Sequence, residues 1–149
     1  MKVNKKIVFI AAPLFNKMER ERNTKIKKFL EQLGFEVFLP QDNVGLSYDL
    51  IHGDTKQKSE VRKHIFLSDV NGVKKSDIIL FLMDGRTPDE GSCVELGIGW
   101  LLGKHCIGYK TDNRAMDQNG DNNIMIDGCL NFEMARNMEQ LKVAILKLL

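Results

Sequence analysis

Three acids stand out by type and surroundings: Asp69, Asp89 and Glu95. Glu95 sits in the run Asp89-Glu90-Gly91-Ser92-Cys93-Val94-Glu95-Leu96-Gly97, and Ile98, Trp100, Leu101 and Leu102 follow it. A glutamate among so many apolar neighbours is expected to be part-buried, and a buried carboxylate is costly unless paired or hydrogen-bonded. The plainer alternative is a surface acid near a helix N-terminus, where negative charge is favoured. Spacing alone gives the two equal weight. Three acids at one ligand edge can serve the cleavage of an N-glycosidic bond, which passes through an oxocarbenium-like state. One carboxylate attacks C1′ and forms an ester, one anchors the sugar, and one protonates the departing base. Nothing points to a metal or cofactor: His52, His64 and His105 are scattered, and there is neither a G-x-G-x-x-G nor a Walker lysine motif.

The elements that must position these acids follow from hydrophobic periodicity. Residues 6–12 read as a buried strand ending at Pro13. Residues 19–33 read as a helix, with Ile26, Phe29, Leu30 and Leu33 on one stripe and Gly34 at its end. Residues 35–39 form a second strand, and 41–58 a long polar loop with Gly45 and Gly53. A helix is expected over 60–75, with Ser59 as its N-cap. The almost continuous apolar run 77–83 is that of a central parallel strand. A loop over 84–91, a small-residue helix over 92–103 and a strand over 105–109 follow. Residues 111–127 are polar, with Asn119-Gly120 as a turn, then a short strand near 129–132 and a final helix over 133–149. The alternation predicts one α/β domain, a flavodoxin- or Rossmann-like sandwich with a mostly parallel five-stranded sheet flanked by helices. Ligands in such folds bind beyond the carboxyl ends of the strands.

Those ends carry further candidates. Phe15, after the first strand, is either an aromatic capping the core or a platform for a flat nucleobase. Gln41, Asp42 and Asn43 form an ordinary turn or a row of donors and acceptors for a base. Asp69 lies near a helix C-terminus, where an acid is unfavourable, so it is either surface charge or kept for function.

Composition narrows the partners. Among 149 residues, 43% are hydrophobic and 28% charged, and the formal charge is only +2, which argues against a nucleic-acid backbone as the main partner. No apolar run reaches the roughly 18–20 residues that span a bilayer, and the short apolar stretch after the basic start is not that of a signal peptide. Cys93, Cys106 and Cys129 lack C-x-x-C spacing and read as reduced thiols in a cytoplasmic protein.

Five segments in order resemble the nucleoside 2-deoxyribosyltransferase family. They are Ala11-Ala12-Pro13-Leu14-Phe15, Pro40-Gln41-Asp42-Asn43, Asp69-Val70-Asn71-Gly72 with Ser76-Asp77, the run from Asp89 to Gly97, and Asn122-Asn123-Ile124-Met125. The resemblance implies retaining double displacement in nucleotide salvage, moving 2-deoxyribose between free purine or pyrimidine bases without a cofactor. Glu95 would be the nucleophile, Asp89 would hold a sugar hydroxyl within a pocket that includes Gly91 and Ser92, and Asp69 would assist protonation of the base. Phe15 would line the base pocket. Asn123 and Met125 would reach the site of a neighbouring subunit, which implies a homo-oligomer of dimeric units, up to a tetramer or hexamer. Two departures stand out. Phe9 replaces a frequent tyrosine whose hydroxyl can orient the nucleophile, and Val44 stands where some members carry a base-binding glutamine, a role for which Gln41 is the substitute.

Two rivals remain. A hydrolase of the same superfamily would use water in place of the acceptor base and act on 2′-deoxynucleosides or their 5′-monophosphates. Its phosphate site needs cations, of which Arg86 is the one near the acidic loop. A non-catalytic nucleotide-binding domain would not need all three acids.

Overall fold

The computed structural model describes residues 5–46, 51, 53–115 and 118–149. Five strands form one sheet: β1 (Ile7–Ala11), β2 (Glu36–Phe38), β3 (Ile78–Leu82), β4 (His105–Tyr109) and β5 (Met134–Ala135). The order is β2-β1-β3-β4-β5, and every pairing is parallel. This is the flavodoxin-like α/β sandwich expected from the alternating pattern.

Period-two alternation sends the central strands' side chains to both faces, and both faces are covered. Val8, Ile10, Ile78, Leu80 and Leu82 pack on α1 (Lys17–Gln32) through Ile26 and Leu30, and on α6 (Met138–Leu146) through Leu141 and Ile145. Phe9, Ala11, Ile79, Phe81 and Met83 face α3 (Thr55–Lys75) through Val73, α4 (Glu90–Leu101) through Leu96, and α5 (Ile124–Cys129) through Ile126. Each fully buried aliphatic side chain contributes about 1.5–3 kcal/mol relative to exposure.

Two glycines set how closely the second layer approaches. A Cβ on Gly99 of α4 would lie 2.4 Å from Ile79 Cγ1, and one on Gly72 of α3 would lie 2.7 Å from the Phe38 ring. That ring stacks on Phe9 at 5.2 Å between centroids and 12° between planes. The helices bearing Glu95 and Asp69 therefore lie hard against the sheet.

Boundaries differ from expectation where local capping decides them. Asn16 caps α1 in a box with Glu19, so the helix starts two residues before the apolar stripe suggests. Asp54, not Ser59, caps α3. Part of the long polar loop is a short helix, α2 (Pro40–Asn43), and α3 takes its end; residues 47–50 and His52 lie outside the described residues. The strand expected near 129–132 is absent. Its alternating pattern is instead the end of α5, where Asn131 and Phe132 take left-handed φ of 55° and 60° and the Phe132 N–H donates to the Asp127 carbonyl at 2.7 Å. The last strand falls at Met134–Ala135, and α6 starts only after its Asn137 cap.

Candidate active site

Strand order reverses between β1 and β3, which opens a crevice at their carboxyl ends. The loops after these strands carry Phe15 and Asp89, and α3 and α4 bring Asp69 and Glu95 from the covered face. Asp89 is the N-cap of α4. Its Oδ2 accepts from the Ser92 backbone N–H at 2.8 Å and from the Ser92 hydroxyl at 2.9 Å. Both bonds fall on one oxygen, so Oδ1 is left for another donor. Gly91 keeps that carboxylate uncrowded, since a Cβ there would come within 3.2 Å of Oδ2.

Glu95 lies one and a half turns into α4, largely buried. Burial, and then the charges of Asp69 and Asp89, push its carboxyl up to about 9. Burial alone raises Asp69 to about 6. The Oδ1 of Asp69 is inaccessible and has no hydrogen-bond partner. An orphaned buried carboxylate oxygen is unusual in a folded protein and calls for a proton or a ligand. The three acids therefore share one electrostatic environment. Yet among the described residues no group of three or more His, Cys, Asp or Glu lies close enough to hold a metal ion.

The other candidates divide. Phe15 is 66% exposed at the crevice, with its backbone N–H tied to Glu19 Oε2 at 2.8 Å. Gln41, Asp42 and Asn43 are engaged within the protein. The Gln41 amide donates to the Arg20 carbonyl at 3.1 Å and accepts from Asn23 at 3.1 Å. Asp42 pairs with Lys27 at 2.7 Å, and Asn43 accepts from the Leu39 N–H at 2.8 Å. Asn123 caps α5 by accepting from the Met125 N–H at 3.0 Å, and Met125 is exposed. Phe9 is buried in an apolar cluster with Leu96 of α4. A groove of about 750 Å³, lined by Trp100, Cys106, Cys129 and Met134, follows the outer edge of β4 and holds none of the three acids.

Two buried polar residues escaped the sequence reading. Asn23 donates to the Pro13 carbonyl at 2.9 Å and so holds the first loop. Its i, i+3, i+7 spacing with Ile26 and Leu30 was a usable signal. Lys110, 1% exposed, continues strand β4 and had no such signal.

The sequence over residues 8–141 matches the family model described as nucleoside 2-deoxyribosyltransferase. No curated protein matches it. A 2-deoxyribosyltransferase from Bacillus psychrosaccharolyticus is 22% identical, with 91% of this chain and 90% of that one aligned at a TM-score of 0.71. A conserved protein from Enterococcus faecalis V583 is 22% identical over 98% and 100% of the two chains, at 0.77. A CMP N-glycosidase from Clostridium botulinum is 20% identical over 97% and 100%, at 0.56. The chain belongs to the nucleoside 2-deoxyribosyltransferase family. It is accordingly a nucleoside-acting enzyme. No helix among the described residues is long and apolar enough to cross a membrane.

Proposed function

We propose that this enzyme transfers 2-deoxyribose between nucleobases by retaining double displacement. The observation that carries the reading is Glu95, a largely buried carboxyl facing the charges of Asp69 and Asp89 at the switch-point crevice. A Glu95 oxygen bonds to C1′ as the C1′–N bond breaks, and the electron pair of that bond goes to the base nitrogen. In the free protein Glu95 holds a proton. Attack requires its loss, and the departing base requires a gain. Asp69, with a free oxygen beside Glu95, carries that proton across. The Asp89 Oδ1 accepts a sugar hydroxyl while Ser92 holds Oδ2. The exposed ring of Phe15 stacks on the base. An incoming base then attacks C1′ of the ester and returns the proton, so the second half mirrors the first and no cofactor is consumed.

The helix layer bearing the acids also exposes Phe66 and Leu67 on α3, Val94 and Leu101 on α4, and Ile124 and Met125 on α5. Apolar exposure gathered on these helices supports a homo-oligomer in which Asn123 and Met125 meet a neighbouring site. Light scattering coupled to size-exclusion chromatography tests this, and a monomer at working concentration would remove it.

Hydrolysis of deoxynucleosides or their 5′-monophosphates is the second reading. Arg86, exposed on the β3–α4 loop and without an ion pair among the described residues, favours it, and a CMP N-glycosidase shares the fold. One experiment separates the two: 2′-deoxyinosine with free cytosine or adenine, products followed by chromatography, beside Glu95→Ala. A new deoxynucleoside made by the parent and not by the variant supports transfer. Hypoxanthine with free deoxyribose alone supports hydrolysis, and 5′-deoxynucleotides as substrates then test Arg86.

A further inference from the structure

The loop after β3 is fastened to the segment after β4 by a buried cation. The Lys110 ammonium donates to the Met83 carbonyl at 3.0 Å and to the Gly85 carbonyl at 2.6 Å, and it meets Asp112 Oδ1 at 2.9 Å. Two of the three N–H donors of the ammonium go to these carbonyls, and the Asp112 carboxylate supplies the opposite charge. The return contacts are as dense. The Gly85 N–H donates to Asp112 Oδ2 at 2.8 Å, and the Thr111 N–H and hydroxyl donate to the two oxygens of Asp84 at 2.6 and 3.0 Å. Arg22 of α1 approaches Asp84 at 3.8 Å and draws a third element in. Although burial pushes the Asp112 carboxyl upward, hydrogen bonds from Lys110, Arg114 and the Gly85 N–H bring it down to about 2. The clamp therefore keeps its ion pair across the neutral range.

Only residues 86–88 separate this clamp from Asp89. Gly85 takes a φ of +118°, which a side chain would strain, and Pro88 fixes its own φ. A displacement at residues 83–85 has only Arg86, Thr87 and Pro88 over which to relax before it reaches the cap of α4.

We infer that Lys110 is a positioning residue of the active site, which sets the place of Asp89 by holding the β3–α4 loop against the end of β4. It touches no substrate and acts through Met83 and Gly85. The inference rests on the reading of Asp89 as the sugar anchor.

The test compares Lys110→Met, Lys110→Arg and Asp112→Asn with the parent by steady-state kinetics of deoxyribosyl transfer and by amide hydrogen exchange. Lys110→Met should raise KM for the deoxynucleoside about tenfold or more, with kcat per folded molecule within about threefold, because the support of Glu95 by the core of α4 is untouched. Exchange should quicken in residues 83–89 and not across the sheet. Lys110→Arg should recover most of the KM, and Asp112→Asn should show the same change at smaller size. If Lys110→Met does not fold, Asp112→Asn decides alone. Unchanged KM per folded molecule, or exchange quickened throughout the protein, overturns the inference. Should the parent show no activity on any deoxynucleoside, the functional reading fails, and the exchange pattern still judges the clamp.

Discussion

Replacing Glu95 by glutamine should abolish turnover and at the same time make the protein more stable, by an amount that depends on pH. The ordinary carboxyl value of 4.5 is raised to about 9 in the folded protein. The folded state thus binds a proton that the unfolded chain releases once pH exceeds 4.5. Stability falls as pH climbs from there and stops falling above about 9, because both states are then ionised. At about pH 7.5 the interval from 4.5 is about three pH units, worth about 4 kcal/mol at about 1.36 kcal/mol each. At about pH 5 the same relation leaves less than about 1 kcal/mol. Glutamine has the same shape and no proton to hold, so it escapes the penalty. In a chain of this size about 4 kcal/mol corresponds to about 8–16 °C in Tm. Differential scanning calorimetry of the parent and Glu95→Gln at the two pH values measures the gap directly. It should be wide near pH 7.5 and narrow near pH 5. A gap that is equal at both, or a variant less stable than the parent near pH 7.5, would refute the buried, charge-crowded environment assigned to this side chain.

Asp69→Asn should lower the rate of base departure about 10²–10⁴-fold. The parent's rate should decline as pH rises towards about 9, where Glu95 loses the proton that Asp69 relays; a pH–rate profile reads this. Ser92→Ala deletes one of the two bonds to Asp89 Oδ2 and should raise KM about fivefold, the equivalent of about 1 kcal/mol, with little change in kcat. Gly99→Ala places a methyl 2.4 Å from Ile79 Cγ1 and so forces α4 off the sheet. It should cost about 1–3 kcal/mol in denaturant unfolding and lower kcat/KM by tenfold or more by misplacing Glu95.

The fold was legible because its central strands are unambiguous. The run of Ile78 to Leu82 is buried at every position, which only a sheet covered on both faces asks for. The crowding of Glu95 by apolar neighbours was visible too, but spacing weighed burial and a surface acid equally, and only the packing of α4 on the sheet decides for burial. Asp69 was readable only as an oddity near a helix end; its orphaned oxygen depends on how closely α3 and α4 settle on the sheet, to which Gly72 and Gly99 contribute in space. The polar run Gln41-Asp42-Asn43 shows the opposite case. Its donors and acceptors are met by Asn23, Arg20, Lys27 and Leu39, partners that lie mostly on another helix. Lys110 escaped notice because an isolated lysine after a strand looks like any surface lysine until two loops close over it.

The two helical layers have different histories open to them. Asp69, Asp89, Glu95 and Asn123 all belong to the α3–α4–α5 side, whereas α1 and α6 supply packing to the opposite face. A mutation among the buried contacts of α6, such as Leu141 or Ile145, is judged by folding alone. One in α4 is judged twice, because Asp89 starts the helix and also faces the crevice. Drift should therefore accumulate on one side of the sheet while the other stays narrow in sequence. A directed-evolution campaign for heat tolerance would find most of its room on the side away from the acids.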